Sequence, residues 1–598
     1  MDILKDRNEI DSKHKWNLDD YYTSDAEYFS DCDKAKKALD KLEKYKGKIT
    51  NNGKNLYKFL VEKDKVENWI EQIYVYGYYY RYHPDTTDND GQTAKSKAEE
   101  LYNYYLKKTS FVENELLSAD LKELVKDYSK NELYEYYLNK LLRNKEHTLS
   151  DAEEMILAKM SNAMGVGRDI YECIMYSDVD FGEIKDEEGE TIQVTSANYS
   201  QLMRSKNRDL RKRAFESKHN YYKNFKNTIS ATYKATVKEA LFVSDVRKFS
   251  SALEMNLFNN ELSDKVYSNL LNSIKGNTDI LKKFLDIKRR LLNLDELHMY
   301  DLAVTPELEV NDKIEYNDAI KFILSAISVI SDDYKNKVIE YLDKNMIDIF
   351  PNKGKYTGGY QVGTYKKMPR ILYNYTNTFS NLYGVAHEIG HAMHTYYAND
   401  NQPYIYSNYN IVAAETASLT NEVILTDYLL KSAKTKDEKV FYLLKHLEQI
   451  DNYYFSVILN AEHEKAFYEN EIKEMPLSLD NMSQVYYDLY NEYYGGNKVI
   501  TDDLKRYGWM HYGHYHNPYY FYKYALGMSA ALVIGNNINN NKEGFTDKYI
   551  SFLSNGASKS TLELFKELGV DLESKETFNS VIKYFREKVE LLEELIKE

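Results

Sequence analysis

The sequence predicts a mainly α-helical protein built as two lobes, on three observations. Residues 24–176 are rich in Lys, Glu, Leu and Tyr and poor in Pro and Gly, with apolar residues at helical spacing in 33–45, 56–82 and 93–117. Residues 180–194, DFGEIKDEEGETIQV, interrupt this with a β-hairpin signal whose acidic turn ends in Gly189, and helical text then resumes over 197–348. A chain of 598 residues also exceeds what one hydrophobic core usually holds. We therefore expect an N-terminal helical lobe over 1–200, ending in the hairpin, and a second domain over 201–598.

The N-terminal residues MDILKDRNEIDSKHKW are charged and lack an apolar leader core, and no later run approaches the ~18 apolar residues that cross a membrane. Cys32 and Cys173 are the only cysteines, which gives no disulfide framework. Together these predict a soluble, cytoplasmic protein without a membrane partner. A formal charge of −15 argues against a nucleic-acid partner. The 59 tyrosines are mostly packing material, so a single tyrosine carries little weight. The basic run at 204–213 reads as a solvated helix face.

Composition shifts near residue 351. Fifteen of the 24 glycines follow it, and five of the seven prolines lie from Pro351 to Pro518, so irregular backbone that can build a site is concentrated there. Two strand-like pieces, 356–362 and 370–375, come first. Next, Phe379, Leu382, Ala386, Ile389 and Ala392 or Met393 form an apolar stripe at helical steps, with Asn377 or Thr378 as the cap.

On that helix stands His387-Glu388-Ile389-Gly390-His391. Residues four apart lie one above the other on a helix, so the two imidazoles can grip one metal ion, and Glu388 can hold a water beside it. With 13 histidines in the chain, such a string arises by chance on the order of a few per cent of the time. A catalytic metal of this kind needs a third ligand and an open position. His394 falls roughly 10 Å along the axis from His387 and is too far. Glu415 is the better candidate: it lies in a helical run over 410–430 where Glu415, Ser418 and Glu422 are polar exceptions on one face. Glu422 would accept the free imidazole N–H of a ligand histidine.

A second cluster, HYGHYHNPYYFYKYALG at 511–527, brings His514 together with Tyr519, Tyr520, Tyr522 and Tyr524, all side chains that can donate a hydrogen bond.

The string His387-Glu388-x-Gly390-His391, followed 24 positions later by Glu415-Thr416-Ala417-Ser418, resembles peptidase family M3, the thimet-oligopeptidase-like zinc enzymes. The flanking text resembles its oligoendopeptidase F branch. The likeness extends to Trp16-Asn17-Leu18-Asp19-Asp20-Tyr21-Tyr22, His83-Pro84-Asp85-Thr86-Thr87-Asp88, Glu146-His147-Thr148-Leu149-Ser150, Leu553-Ser554-Asn555-Gly556 and Leu568-Gly569-Val570-Asp571, and so covers nearly the whole chain.

The resemblance implies a two-lobed helical zincin-like metallopeptidase with a deep substrate cleft and a small β-sheet beside the metal helix. It implies one zinc on His387, His391 and Glu415, with Glu388 as general base, and an edge strand at Gly358, Gly359 and Tyr360 that pairs with short peptides of up to about 20 residues. His514 and a tyrosine would stabilise the oxyanion. The register among the tyrosines stays open, with Tyr522 and Tyr524 leading. One departure stands out: 455–464, FSVILNAEHE, lacks the basic residue usual near the start of that family helix. Two other readings are a carboxypeptidase, which needs a carboxylate-binding Arg or backbone nest, and a non-catalytic peptide binder, which would have lost Glu388 or a ligand.

Overall fold

The computed structural model describes residues 4–472 and 479–597. Short polar caps start the first helices. Ser24 accepts from the Glu27 N–H and opens α1 (Asp25–Leu42), Asn52 accepts from the Asn55 N–H and opens α2 (Gly53–Tyr74), and Asp88 caps α3 (Asn89–Thr109). α2 continues as a π-helical stretch over Val75–Tyr82. Gly189, at φ +84°, turns β1 (Glu183–Lys185) back onto β2 (Thr191–Gln193), with Ile184 opposite Ile192.

The helix α4 (Arg208–Val246) follows. Then come β3 (Leu297–His298), β4 (Ile347–Asp348), β5 (Tyr360–Val362) and β6 (Arg370–Leu372). The helices α5 (Phe379–Asn401) and α6 (Ile411–Ser432) carry the metal-type residues. α7 (Val457–Ile472), β7 (Val499–Ile500) and α8 (Phe521–Asn539) lie beyond them. The fold is mainly α, as expected. Its three-stranded sheet runs in the order β4-β6-β5, β4 parallel and β5 antiparallel to β6, with Gln361 opposite Ile371, and it packs beside α5. Among the described residues no helix is long and apolar enough to cross a membrane.

The chain divides into two compact units, each assembled from separated stretches of the sequence. The first unit comprises 1–148, 311–431 and 534–570; the second comprises 149–310, 432–533 and 571–598. The physical reason is visible in the first unit, where the N-terminal segment and the sheet share one core. Trp16, Tyr28, Leu60, Ile73 and Tyr80 bury themselves in a cluster that also holds Leu372 of β6. The Asn17 N–H donates to the Asn345 carbonyl at 2.8 Å, and the Ile349 N–H to that of His14 at 3.2 Å. Asp348 is fully buried and accepts from Arg7 and from Lys355, whose Nζ stands 2.7 Å away. Arg370, also fully buried, donates to the Asn17 carbonyl and to Asp20.

The second unit contains the hairpin, α4, α7 and α8 as far as Val533. Its parallel pair β3–β7 is pinned by Asp502, which accepts from His298 Nδ1 at 2.8 Å and from the Met299 N–H at 2.9 Å. The basic run at 204–213 is more than a solvated face: Arg208 and Arg211 both pair with the buried Asp301, at 2.9 and 2.6 Å.

Removing Asp348 would leave the ammonium of Lys355 buried without its counter-charge. Asp348→Ala should therefore lower stability by about 3–5 kcal/mol, read from the midpoint of chemical unfolding.

Candidate metal centre

At the head of α5, Thr378 occupies the N-cap position and Asn381 reaches back towards its N–H at 3.4 Å. Leu382, Ala386, Ile389, Ala392 and Met393 are buried, while His387 and His391 stand one turn apart on another face. Asn410 caps α6, its side chain accepting from the Ala413 N–H at 2.9 Å.

The two helices meet at Gly390. A Cβ there would lie 2.6 Å from Ser418 Cα and 2.9 Å from the Ala417 carbonyl oxygen, so a glycine is what permits the approach. Asn421 Nδ2 donates to the Ala386 carbonyl at 3.2 Å, and Tyr383 and Thr426 share a hydroxyl hydrogen bond of 2.8 Å.

This packing brings Glu415 to the histidines: one ligand atom from each of His387, His391 and Glu415 lies within 4.8 Å of the others. His387 Nε2 is 3.1 Å from His391 Nε2 and 3.7 Å from Glu415 Oε2. Ligands held about 2.1 Å from one tetrahedral ion stand roughly 3.4 Å apart, so these side chains fit such an ion. Glu422 accepts from His387 Nδ1 at 2.6 Å, which fixes the ring with Nε2 turned towards the cluster.

Glu388 is buried, and its Oε2 has no hydrogen-bond partner among the described residues. Burial opposes a charge on His387, but Glu422, with Glu388 and Glu415, overrides it and holds the pKa up at about 9. Burial pushes Glu388 up to about 7 against the field of His387, and it raises Glu415 as well. Burial and then His387 hold His391 far below the usual imidazole range. The cluster carries surplus negative charge that a divalent cation would neutralise. His394 belongs elsewhere: buried and stacked on Tyr409 at 3.6 Å, it is kept neutral by burial, with its pKa near 3.

The sheet enters through glycines. A Cβ on Gly359 would sit 2.7 Å from the Tyr373 ring and 3.8 Å from Glu388 Oε1, and one on Gly384 would overlap the Tyr373 hydroxyl. Tyr373 therefore wedges between strand and helix, within the fields of Glu388 and Glu422. The sequence reading did not single it out; glycines at 359 and 384, one from each element, were the available signal. Gly358 makes room for the Tyr356 ring, and the Tyr360 hydroxyl is shared with His83 Nδ1 at 2.8 Å.

Known proteins match the chain along its length. The family model described as Peptidase family M3 matches residues 201–584, and one described as Oligopeptidase F matches 114–181. The chain belongs to peptidase family M3. Over 596 residues it is 33% identical to Oligopeptidase PepF of Bacillus subtilis, covering 99% of this chain and 89% of that one. A crystal structure of oligoendopeptidase-F from Enterococcus faecium matches with TM-score 0.74 at 26% identity, over 96% of this chain and 99% of the other. A crystal structure of a peptidase from Chlamydophila abortus matches with TM-score 0.89 at 27% identity, over 99% of this chain and 100% of the other.

In this M3 peptidase the His514 cluster lies in the second unit. His514 is exposed and Tyr520 and Tyr524 are half-buried, with ring centroids 5.5 and 5.8 Å from the imidazole; the Tyr524 hydroxyl is 3.4 Å from His514 Nε2. Tyr519 and Tyr522 turn inward. Tyr522 is fully buried and donates to Asn256 Oδ1 at 2.8 Å; Tyr519, at φ +52°, packs 4.7 Å from Tyr468 and gives its N–H to Glu464 Oε1 at 2.7 Å. Of the two leading tyrosines, Tyr524 stands beside His514 and Tyr522 is buried against Asn256. Residues 520 and 524 are one turn apart, whereas 522 points to the opposite side. The segment 455–464 runs into α7, where burial pushes the Glu464 carboxyl up to about 8.

Gly390→Ala should force the helices apart at the point where Glu415 is delivered. We expect a loss of about 1–3 kcal/mol in stability and a fall of tenfold or more in divalent-metal affinity by calorimetric titration. An affinity equal to the parent's would show that the approach does not set the site.

Proposed function

We propose that this M3 peptidase is a zinc-dependent oligoendopeptidase that hydrolyses internal bonds of short peptides. The observation that carries the reading is the convergence of His387, His391 and Glu415 beside a buried carboxylate, Glu388, that has a free oxygen. Bound there, a zinc ion supplies a Lewis acid for the scissile carbonyl and lowers the pKa of water.

The protein's own groups do the rest. His387 and His391 each present a ring nitrogen, and Glu422 fixes the His387 ring through its 2.6 Å hydrogen bond. Glu388 accepts a proton from the attacking water and returns it to the leaving amine. β5 offers its free edge to an extended peptide, and Gly359, packed on the Tyr373 ring, starts that edge close to Glu388. For the oxyanion, the chemistry of His514 with Tyr520 and Tyr524 supports hydrogen-bond donation.

Elemental analysis should find about one zinc per chain, and chelation should abolish turnover reversibly. Glu388→Gln should keep the zinc while kcat falls by roughly 10²–10⁴, whereas Glu415→Ala should lose the zinc. Equal zinc loss in both variants would refute this division of roles.

The His514 group gives a second test. Tyr524→Phe or His514→Ala should lower kcat by about 10²–10³ with little change in KM, and Tyr522→Phe should act mainly on stability. Amidation of the substrate's C-terminus should leave cleavage intact; its prevention would favour a carboxypeptidase.

A further inference from the structure

Apart from the metal centre, the first unit holds a cavity of about 390 Å³. β5 and the residue after it contribute Gln361 and Gly363, α5 contributes Thr395, and α2 contributes Glu67 and Glu71, with Tyr404 between them. Its position is set by two registers. Thr395 follows His387 and His391 at steps of four on the same face of α5, so it stands one turn, about 6 Å, beyond His391. Along the strand, Gly363 is four residues past Gly359, about 13 Å at ~3.3 Å per residue. A peptide lying on β5 with its scissile bond at Glu388 reaches the cavity with a residue three or four positions from the cut.

The charge in the cavity is unbalanced. Glu67 and Glu71 are one turn apart on α2, a spacing at which like charges repel. Glu67 is compensated by Lys63, whose Nζ is 2.6 Å away, and by the Tyr105 hydroxyl. Glu71 has a hydrogen bond with Tyr404 but, among the described residues, no ion pair; burial pushes its carboxyl up to about 7, against that bond and with the help of Glu67. Beside it, Gln361 Oε1 accepts from Thr395 at 3.2 Å while the buried Nε2 has no acceptor among the described residues. The wall thus offers an uncompensated carboxylate and an unused amide donor, complementary to a cationic group and a backbone carbonyl.

We propose that this cavity is a specificity subsite, in which Glu71, backed by Glu67, takes a cationic group of the peptide, and Gln361 Nε2 donates to a substrate carbonyl. The cation is a Lys or Arg side chain or the N-terminal ammonium. The subsite rests on the peptidase reading above.

The test uses quenched fluorogenic peptides carrying Lys, Gln or Glu at each of four positions on either side of the cut, with acetylated or free N-termini. The zinc-loaded full chain should favour one cationic placement by about tenfold in kcat/KM, mostly through KM. In Glu71→Gln the ratio should fall to within about twofold, and in Glu71→Lys it should reverse towards a Glu-bearing peptide. Each ratio is internal to one preparation, so partial folding of a variant does not alter it. A preference that follows Lys identifies a side chain, and one that follows the free amine identifies the terminus. A flat series, or a preference that survives both variants, overturns the subsite. Binding of the same peptides to Glu388→Gln, read by fluorescence anisotropy, gives the ratio without turnover. Failure to cleave any peptide would then overturn the proposed function, and equal affinities would overturn the subsite.

Discussion

The contact of Gly390 on α5 with Ser418 on α6 is the constraint on which the rest of the site depends. Two helices rarely come near enough for a short carboxylate on one to share an ion with imidazoles on the other. Here the missing side chain at 390 lets backbone meet backbone, 2.6 Å from where a Cβ would stand. Because Glu415 and Glu422 are seven residues apart on one face of α6, a single close approach serves His387 at both nitrogens: Glu422 at Nδ1, and Glu415 on the side of Nε2. A shift of half an ångström would separate these functions, since ligand geometry tolerates little more.

The sheet is tied to the same helix by complementary means. The Tyr373 ring fills the space left by Gly359 on the strand side and Gly384 on the helix side, so the edge of β5 is held at a fixed height over Glu388. Behind it, Asp348 and Arg370 are buried charges whose partners come from the N-terminal arm. Charges in such positions are costly unless every partner is present, so the first residues of the chain and the strands at 347–372 stand or fall together.

The electrostatics point the same way. Glu388, Glu415 and Glu422 surround one imidazole pair in a desolvated pocket, a strained arrangement without a cation and a favourable one with it. The surplus negative charge at Glu71 repeats the pattern on a smaller scale, in a cavity that opens beside the same strand and helix.

Much of this was legible in the sequence wherever the governing interaction is local. His387 and His391 share a helix face because four residues make about one turn, and the caps, the hairpin turn at Gly189 and the helical character of most segments follow from near-neighbour chemistry. Other features were not legible, because long-range packing decides them. The first unit is assembled by contacts that join the N-terminal arm to strands more than 300 residues later. Tyr522 and Tyr524 led among the tyrosines from 519 to 524 in the sequence, yet burial takes Tyr522 and Tyr519 inside and leaves Tyr520 and Tyr524 half-buried beside His514. Tyr373 gave no sign of its own, since its role exists only once Gly359 and Gly384 face each other. The sequence by itself determined the donor atoms and their spacing along each helix. Only the tertiary structure decided which of them meet, because the approach of one helix to another is set by side-chain volume at the crossing, and that is a property of both helices at once.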